Sequence, residues 1–144
     1  MATRPQSEFS AGGVVVRGDR CIVIVPARRA ADGSKVLALP KGHPDGDESA
    51  ADAALREVSE ETGVQAELVE KLGDIRYWYM RDGRRIAKVV SFFLLDYVAG
   101  ELADHDHEVE RAEWMALDEA ARRLTYKGER EMAAAALSRR GKPQ

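Results

Sequence analysis

The chain is poor in several features that would assign it to a familiar class. Its single cysteine, Cys21, rules out an intramolecular disulfide. That residue lies between Arg20 and Ile22 at the start of an apolar run, so it reads as a buried structural thiol and suits a reducing compartment. No apolar run approaches the roughly 18 residues that a membrane span requires, and residues 1–8 lack the apolar stretch of a signal peptide. A cytoplasmic protein with no membrane partner is expected. Net charge is only −3, the isoelectric point is near 5.7, and no arginine-rich run precedes the tail Arg139-Arg140-Gly141-Lys142. No nucleic-acid partner is therefore expected, and the tail reads as a frayed, soluble end. Repeats and linkers are missing too, so 144 residues with 44% hydrophobic content read as one domain spanning 1–144. The sequence leaves the oligomeric state open.

What is present is concentrated in one stretch. Gly42 is followed after five residues by Glu48, and after seven more by Arg56-Glu57-Val58-Ser59-Glu60-Glu61-Thr62-Gly63-Val64. A helix turns about 100° per residue, which places Glu57, Glu60 and Glu61 on one face. Ala51, Leu55, Val58 and Thr62 form a second stripe suited to a core, and Asp52, Arg56 and Ser59 take the more polar sides. Carboxylates three and four residues apart repel by a few tenths of a kcal/mol per pair, and no lysine lies one turn away to offset this. A hard divalent cation would hold them: Mg2+ favours carboxylate oxygens and completes its shell with water and substrate phosphates, and Mn2+ is an alternative. A bare run of this spacing is otherwise a solvated acidic face; Arg56, Glu48 and Gly63 favour the metal.

The helix has readable ends. Ser49 with Asp52 three residues on has the form of a capping box, and Gly63 suits the left-handed residue after a last turn. Residues 39–47 mix glycine and proline too densely for a regular element and read as a loop that brings Lys41 to the mouth of the helix. Strands are expected at 12–17, 21–25 and 36–39, the first two forming a hairpin around Gly18-Asp19. Longer strands are expected at 66–80 and 86–98 around the turn Arg81-Asp82-Gly83-Arg84, with a short one at 111–115. Helices follow at 118–124 and 129–137. The residues alone give α with β.

Gly42, Glu48, Arg56, Glu57, Glu60, Glu61 and Gly63 stand at the spacing of the Nudix box, and the chain resembles Nudix hydrolases of the MutT type. In motif it is closest to bacterial diadenosine tetraphosphate hydrolases. The resemblance runs from about residue 9 to 137 and implies an α/β/α sandwich with a mixed β-sheet and a loop–helix–loop catalytic motif. It assigns Glu57, Glu60 and Glu61 to metal binding together with Gly42, and gives Arg56 the task of orienting a catalytic glutamate through an ion pair. Many relatives carry a further glutamate ahead of the strand that ends in tryptophan. Glu108, six residues before Trp114, fills that place, with Glu110 as the second choice. Which of Glu57, Glu60, Glu61 and Glu108 is the general base stays open. The neighbouring His105-Asp106-His107 could be taken for a zinc site, but an isolated pair in a polar loop is more simply solvated.

The implied activity is metal-dependent hydrolysis of a phosphoanhydride in a nucleoside diphosphate linked to another group, most closely a dinucleoside polyphosphate. Nucleoside triphosphates, ordinary or oxidised, are the alternative, and a nucleotide sensor without catalysis is a reading from another class. In the diadenosine tetraphosphate subgroup, substrate is met by positions that match Lys41 and His43, Tyr77 or Tyr79, Lys88 and Tyr126. Residues 77–79 should alternate faces in a strand, so one ring can serve as a base platform or lie against the next strand. One departure stands out. An aromatic two residues before the proline is common in that subgroup, whereas this chain has Ala38.

Overall fold

The computed structural model describes residues 6–140, so Gly141 and Lys142 of the expected frayed tail lie outside the described residues. Strand β1 (Gln6–Arg17) and β2 (Arg20–Pro26) form the expected hairpin, closed over Gly18-Asp19 with Arg17 opposite Arg20. β3 (Lys41–Gly42) precedes helix α1 (Ala50–Thr62). The long strands β4 (Val64–Arg81) and β5 (Arg84–Gly100) join at Asp82-Gly83, both at positive φ (52° and 75°), the geometry that an Asp-Gly hairpin turn requires. A single 3-10 turn (Leu102–Asp104) leads to β6 (Val109–Ala116), α2 (Leu117–Arg123) and α3 (Lys127–Arg140). Helix α3 therefore continues through the arginines expected to fray, and Arg139 donates to Glu70 and to the carbonyl of Lys71.

The sheet runs β4-β5-β1-β2-β6, with β3 added to β1. Among the described residues only β1 and β5 pair in parallel, which makes the sheet mixed. β1 is covered on both faces, which is why 11–16 reads as one apolar and glycine run instead of an alternation. On one side, Ala53, Ala54 and Val58 of α1 meet Ala11, Val15, Ile22, Phe93 and Leu95. On the other, Leu117, Ala120 and Leu124 with Ala133 and Ala136 of α3 cover Val14, Val16, Val23, Phe92 and Leu94. These two cores make the expected α/β/α sandwich.

Three local expectations are corrected. The buried stripe of α1 is Ala53, Ala54, Val58, Glu61 and Thr62, while Ala51 and Leu55 lie only at its margin. The helix is rolled so that its last turn carries Glu61 inward. Residues 36–39 do not form a strand; Ala38 alone bridges to Ile24. The amides on either side of it are taken by side chains from the α2–α3 junction, Leu37 N–H by Thr125 Oγ1 (2.8 Å) and Leu39 N–H by Glu129 Oε1 (2.7 Å). The following segment, expected as loop, instead makes β3 against Gly12 and Ala11.

Gly12 sets how closely that segment can approach. A Cβ there would lie 2.3 Å from the Pro40 carbonyl oxygen and 2.6 Å from Lys41 Cβ, so the loop would have to lift off β1. Gly12→Ala is expected to lower unfolding free energy by about 1–3 kcal/mol through overpacking. Chemical denaturation of the two proteins checks this; equal stabilities would mean that the loop yields freely.

Candidate active site

The acidic helix is anchored at both ends. Ser49 Oγ accepts the N–H of Asp52 (3.1 Å), and Gly63, at φ 77°, donates its N–H to Ser59. With the helix fixed, Arg56 becomes the centre of a cluster. Its Nε lies 2.9 Å from Glu48 Oε2, its Nη1 3.0 Å from Glu57 Oε1 and 3.2 Å from both Glu60 oxygens, and its Nη2 donates to the His43 carbonyl (2.8 Å). Asp45 stands 3.4 Å away. One guanidinium thus serves four carboxylates and ties the 43–48 loop to the helix. The planar fork of arginine allows this; a lysine ammonium could not span the same directions. Hydrogen bonds from Arg56 and from the Asp45 amide hold the Glu48 carboxyl below the ordinary glutamate range.

Glu61 lies on the other side of the helix end, 8% exposed, and accepts the N–H of Lys41 at 2.9 Å. Burial pushes its carboxyl up to about 8, with the charges of Glu57 and Asp106 adding to the effect and Lys41 opposing it. Glu57 is also raised, by burial first and by Glu60 and Glu108, against the pull of Arg56. It lies flat against Gly42: a Cβ at that position would fall 2.2 Å from Glu57 Cδ. The loop and the helix approach this closely because residue 42 has no side chain.

β3 pairs antiparallel with the middle of β1, Lys41 opposite Gly12, and Lys41 makes contacts on both sides of the sheet. Its amide holds Glu61, while its ammonium reaches the opposite layer and pairs with Glu129 Oε2 at 3.0 Å. Burial works against that ammonium, but Glu129 outweighs it and holds Lys41 above the ordinary lysine range. Nearby, Lys88 is 8% exposed and donates to Ser10 Oγ (2.7 Å), its ammonium lowered by burial. His43 Nδ1 stands 3.0 Å from the Phe9 carbonyl oxygen. Tyr77 is 45% exposed and lies within electrostatic reach of Lys41, Glu129 and Tyr126, itself 48% exposed. Tyr79 shares Tyr77's face, at a ring separation of 6.3 Å, but donates its hydroxyl to Glu8. Tyr77 is thus the more exposed ring of the two, and Trp78 turns to the opposite face under the Arg85 guanidinium.

The 101–109 loop docks on the end of α1 through Asp106 N–H to the Glu60 carbonyl (3.0 Å). This places Glu108 where its charge acts on Glu57, whereas Glu110 pairs with Lys35 (3.4 Å) and Arg29 (3.7 Å) away from the helix. His105 Nδ1 lies 2.9 Å from the Asp106 carbonyl oxygen. Sequence reasoning missed Glu129, Ser10 and Glu8. An acid in the first turn of a helix is an ordinary N-terminal preference, so nothing local marks Glu129.

The carboxylates fit a hard divalent cation in chemistry. Glu57, Glu60, Glu61 and Glu108 offer only oxygen donors, and Arg56 leaves most of the surrounding negative charge uncompensated. They are not gathered into a closed shell: Glu57 and Glu60 turn onto Arg56, and among the described residues no three His, Cys, Asp or Glu side chains converge on one point. No helix among the described residues is long and apolar enough to cross a membrane.

Residues 7–136 match the family model described as NUDIX domain. The chain is 39% identical over 135 residues, 90% of its length, to a protein named putative mutator protein MutT4 from Mycobacterium tuberculosis (strain CDC 1551 / Oshkosh). It is 34% identical over 98 residues, 64% of its length, to an asymmetrical bis(5'-nucleosyl)-tetraphosphatase from Rattus norvegicus. The chain spans 54% and 63% of the lengths of these two relatives. Among solved structures, a NUDIX hydrolase from Nitrosomonas europaea shares the fold with a TM-score of 0.76 at 20% identity, over 94% of this chain and 90% of that one.

The raised carboxyl of Glu61 has a signed effect on stability. Between the ordinary value of 4.5 and about 8, the folded state holds a proton there that the unfolded state has lost, so this group's contribution falls as pH rises through that window. In metal-free protein the unfolding free energy of Glu61→Gln should therefore decline less from pH 5 to pH 8 than that of the unsubstituted chain. Denaturation series across that range check it; parallel curves would place the Glu61 titration at an ordinary pH.

Proposed function

The chain belongs to the NUDIX domain family, and from that premise we propose that it hydrolyses a phosphoanhydride in a nucleoside diphosphate linked to another group, its substrate being a dinucleoside polyphosphate. The observation that carries the reading is the Arg56 cluster set beside buried Glu61, with Lys41 joining it to a second, basic and aromatic wall. Glu57, Glu60 and Glu61, with Glu108 and the Gly42 backbone, would hold magnesium or manganese. Bound there, the cation supplies positive charge to phosphate oxygens and lowers the pKa of a water.

The chain's own residues do the rest. Arg56 fixes Glu57 and Glu60, and the Lys41 amide fixes Glu61, so the acceptors for the water's proton are set before substrate arrives. The water's oxygen forms a bond to phosphorus as the bridging P–O bond breaks, its proton passes to a carboxylate, and the released phosphate carries the electron pair away. Lys41 and Lys88 face the phosphates from the opposite wall, with His43 at the edge. Tyr77 and Tyr126 offer rings to a base, and Tyr79 supports that wall through Glu8.

A second reading, nucleoside triphosphates or their oxidised forms, is favoured by Ala38. It is 1% exposed, with its backbone paired to Ile24, so that position contributes no ring to a base platform. A panel of diadenosine tetraphosphate, ATP, dGTP, 8-oxo-dGTP and ADP-ribose separates the two. Diadenosine tetraphosphate should give the highest kcat/KM, yield ATP and AMP, and lose all turnover on chelation of the metal. A preference of about tenfold for the guanosine triphosphates would select the second reading. Turnover that survives chelation would sink both. Arg56→Lys should lower kcat about tenfold or more with KM little changed, because it removes positioning and keeps charge. A variant with normal kcat would reduce the role of Arg56 to charge alone.

A further inference from the structure

Glu129 is among the few buried charged groups of the molecule, 3% exposed, and no role in the reaction described above is given to it. It lies in the first turn of α3, yet both of its oxygens point at the catalytic loop. Oε1 accepts the Leu39 amide at 2.7 Å and Oε2 the Lys41 ammonium at 3.0 Å. The first bond alone would be met by any neutral acceptor. The second explains the charge. The Lys41 side chain is 27% exposed against 4% for Glu129, so the pair runs from the interior outward and ends on the cation at the cleft. An ammonium has three donors, and Glu129 engages one of them. The same loop residue holds Glu61 by its amide, so a carboxylate on α3 is coupled through one lysine to the acidic helix on the other face of the sheet.

We propose that Glu129 is a positioning residue: it fixes the Lys41 ammonium from behind, aiming the remaining donors at a phosphate oxygen in the cleft. This rests on the reading of the cleft as a polyphosphate site. A lysine stem has four rotatable bonds, and freezing it before substrate arrives removes an ordering cost from the reacting complex. Thr125 supplies a second tie between the same segments, through Leu37, that involves no charge and no lysine. The two ties can therefore be separated.

The test is a double-mutant cycle on the intact chain with Glu129→Gln, which keeps an acceptor for Leu39, and Lys41→Gln, which keeps a donor to Glu129. It is read in kcat and KM on the best substrate of the panel, and independently in the affinity of tripolyphosphate with magnesium by calorimetry. Glu129→Gln should lower kcat and weaken tripolyphosphate binding, each about tenfold, in the unsubstituted background and have almost no effect once Lys41 is replaced. Thr125→Val should lower the melting temperature and combine additively with Lys41→Gln. Additive effects of Glu129→Gln, or losses confined to melting temperature, would overturn the proposal and leave Glu129 as a structural tie. If no panel substrate is turned over, the functional reading fails by itself, and the tripolyphosphate cycle still decides for or against Glu129.

Discussion

A single guanidinium holds the charged end of this molecule together. Glu57 and Glu60 on α1, and Asp45 and Glu48 in the preceding loop, would repel one another and drift apart without Arg56 between them. Because the same side chain also binds the His43 carbonyl, the loop cannot shift without carrying the helix's carboxylates along. Of these partners Glu48 and Glu57 are the more covered, and stranding their charge is the costly part of removing the cation, whereas Asp45 and Glu60 stay largely exposed to water. The geometry of the acidic face is thus a property of the cluster, and the helix alone would not impose it.

The second constraint is the narrow seam where β3 lies on β1. Two residues paired with Gly12 and Ala11 add main chain alongside the middle of β1, and Lys41 at that seam has its amide in one layer and its ammonium in the other. Through Lys41 the acidic face of α1 is linked to the α3 side of the sheet, where Lys88, Tyr77 and Tyr126 lie. Close contact of Gly42 with the Glu57 carboxylate completes the seam.

Features that depend on near neighbours in the chain were legible. The Ser49 cap, the left-handed Gly63 and the Asp82-Gly83 turn each follow from a few adjacent residues and have their expected form, whereas of the three glutamates expected on one face only Glu57 and Glu60 turn together onto Arg56 and Glu61 is carried inward. The mixed sheet between helices was legible through the resemblance that the box carries. What escaped depends on distant partners. Residues 36–39 have the composition of a strand, but Thr125 and Glu129 take the amides that a strand would need. Between Tyr77 and Tyr79 the sequence offers no choice; Glu8, from the far end of the chain, occupies one of them. The inward roll of α1 toward Ala53 and Ala54 likewise reflects what Ile22, Val15 and Leu95 leave room for, which no local periodicity records.

The Glu129–Leu39 bond joins residues 90 apart in the chain, and the Thr125–Leu37 bond joins residues 88 apart. A ribosome therefore releases the loop and the acidic helix well before it makes the group that secures them from behind. Strands β1 and β2 also wait, one for its parallel neighbour β5 and the other for β6. Such non-local closure is slow compared with local helix formation. The bonds from Thr125 and Glu129 to the segment ahead of α1 can therefore form only once synthesis has reached the start of α3.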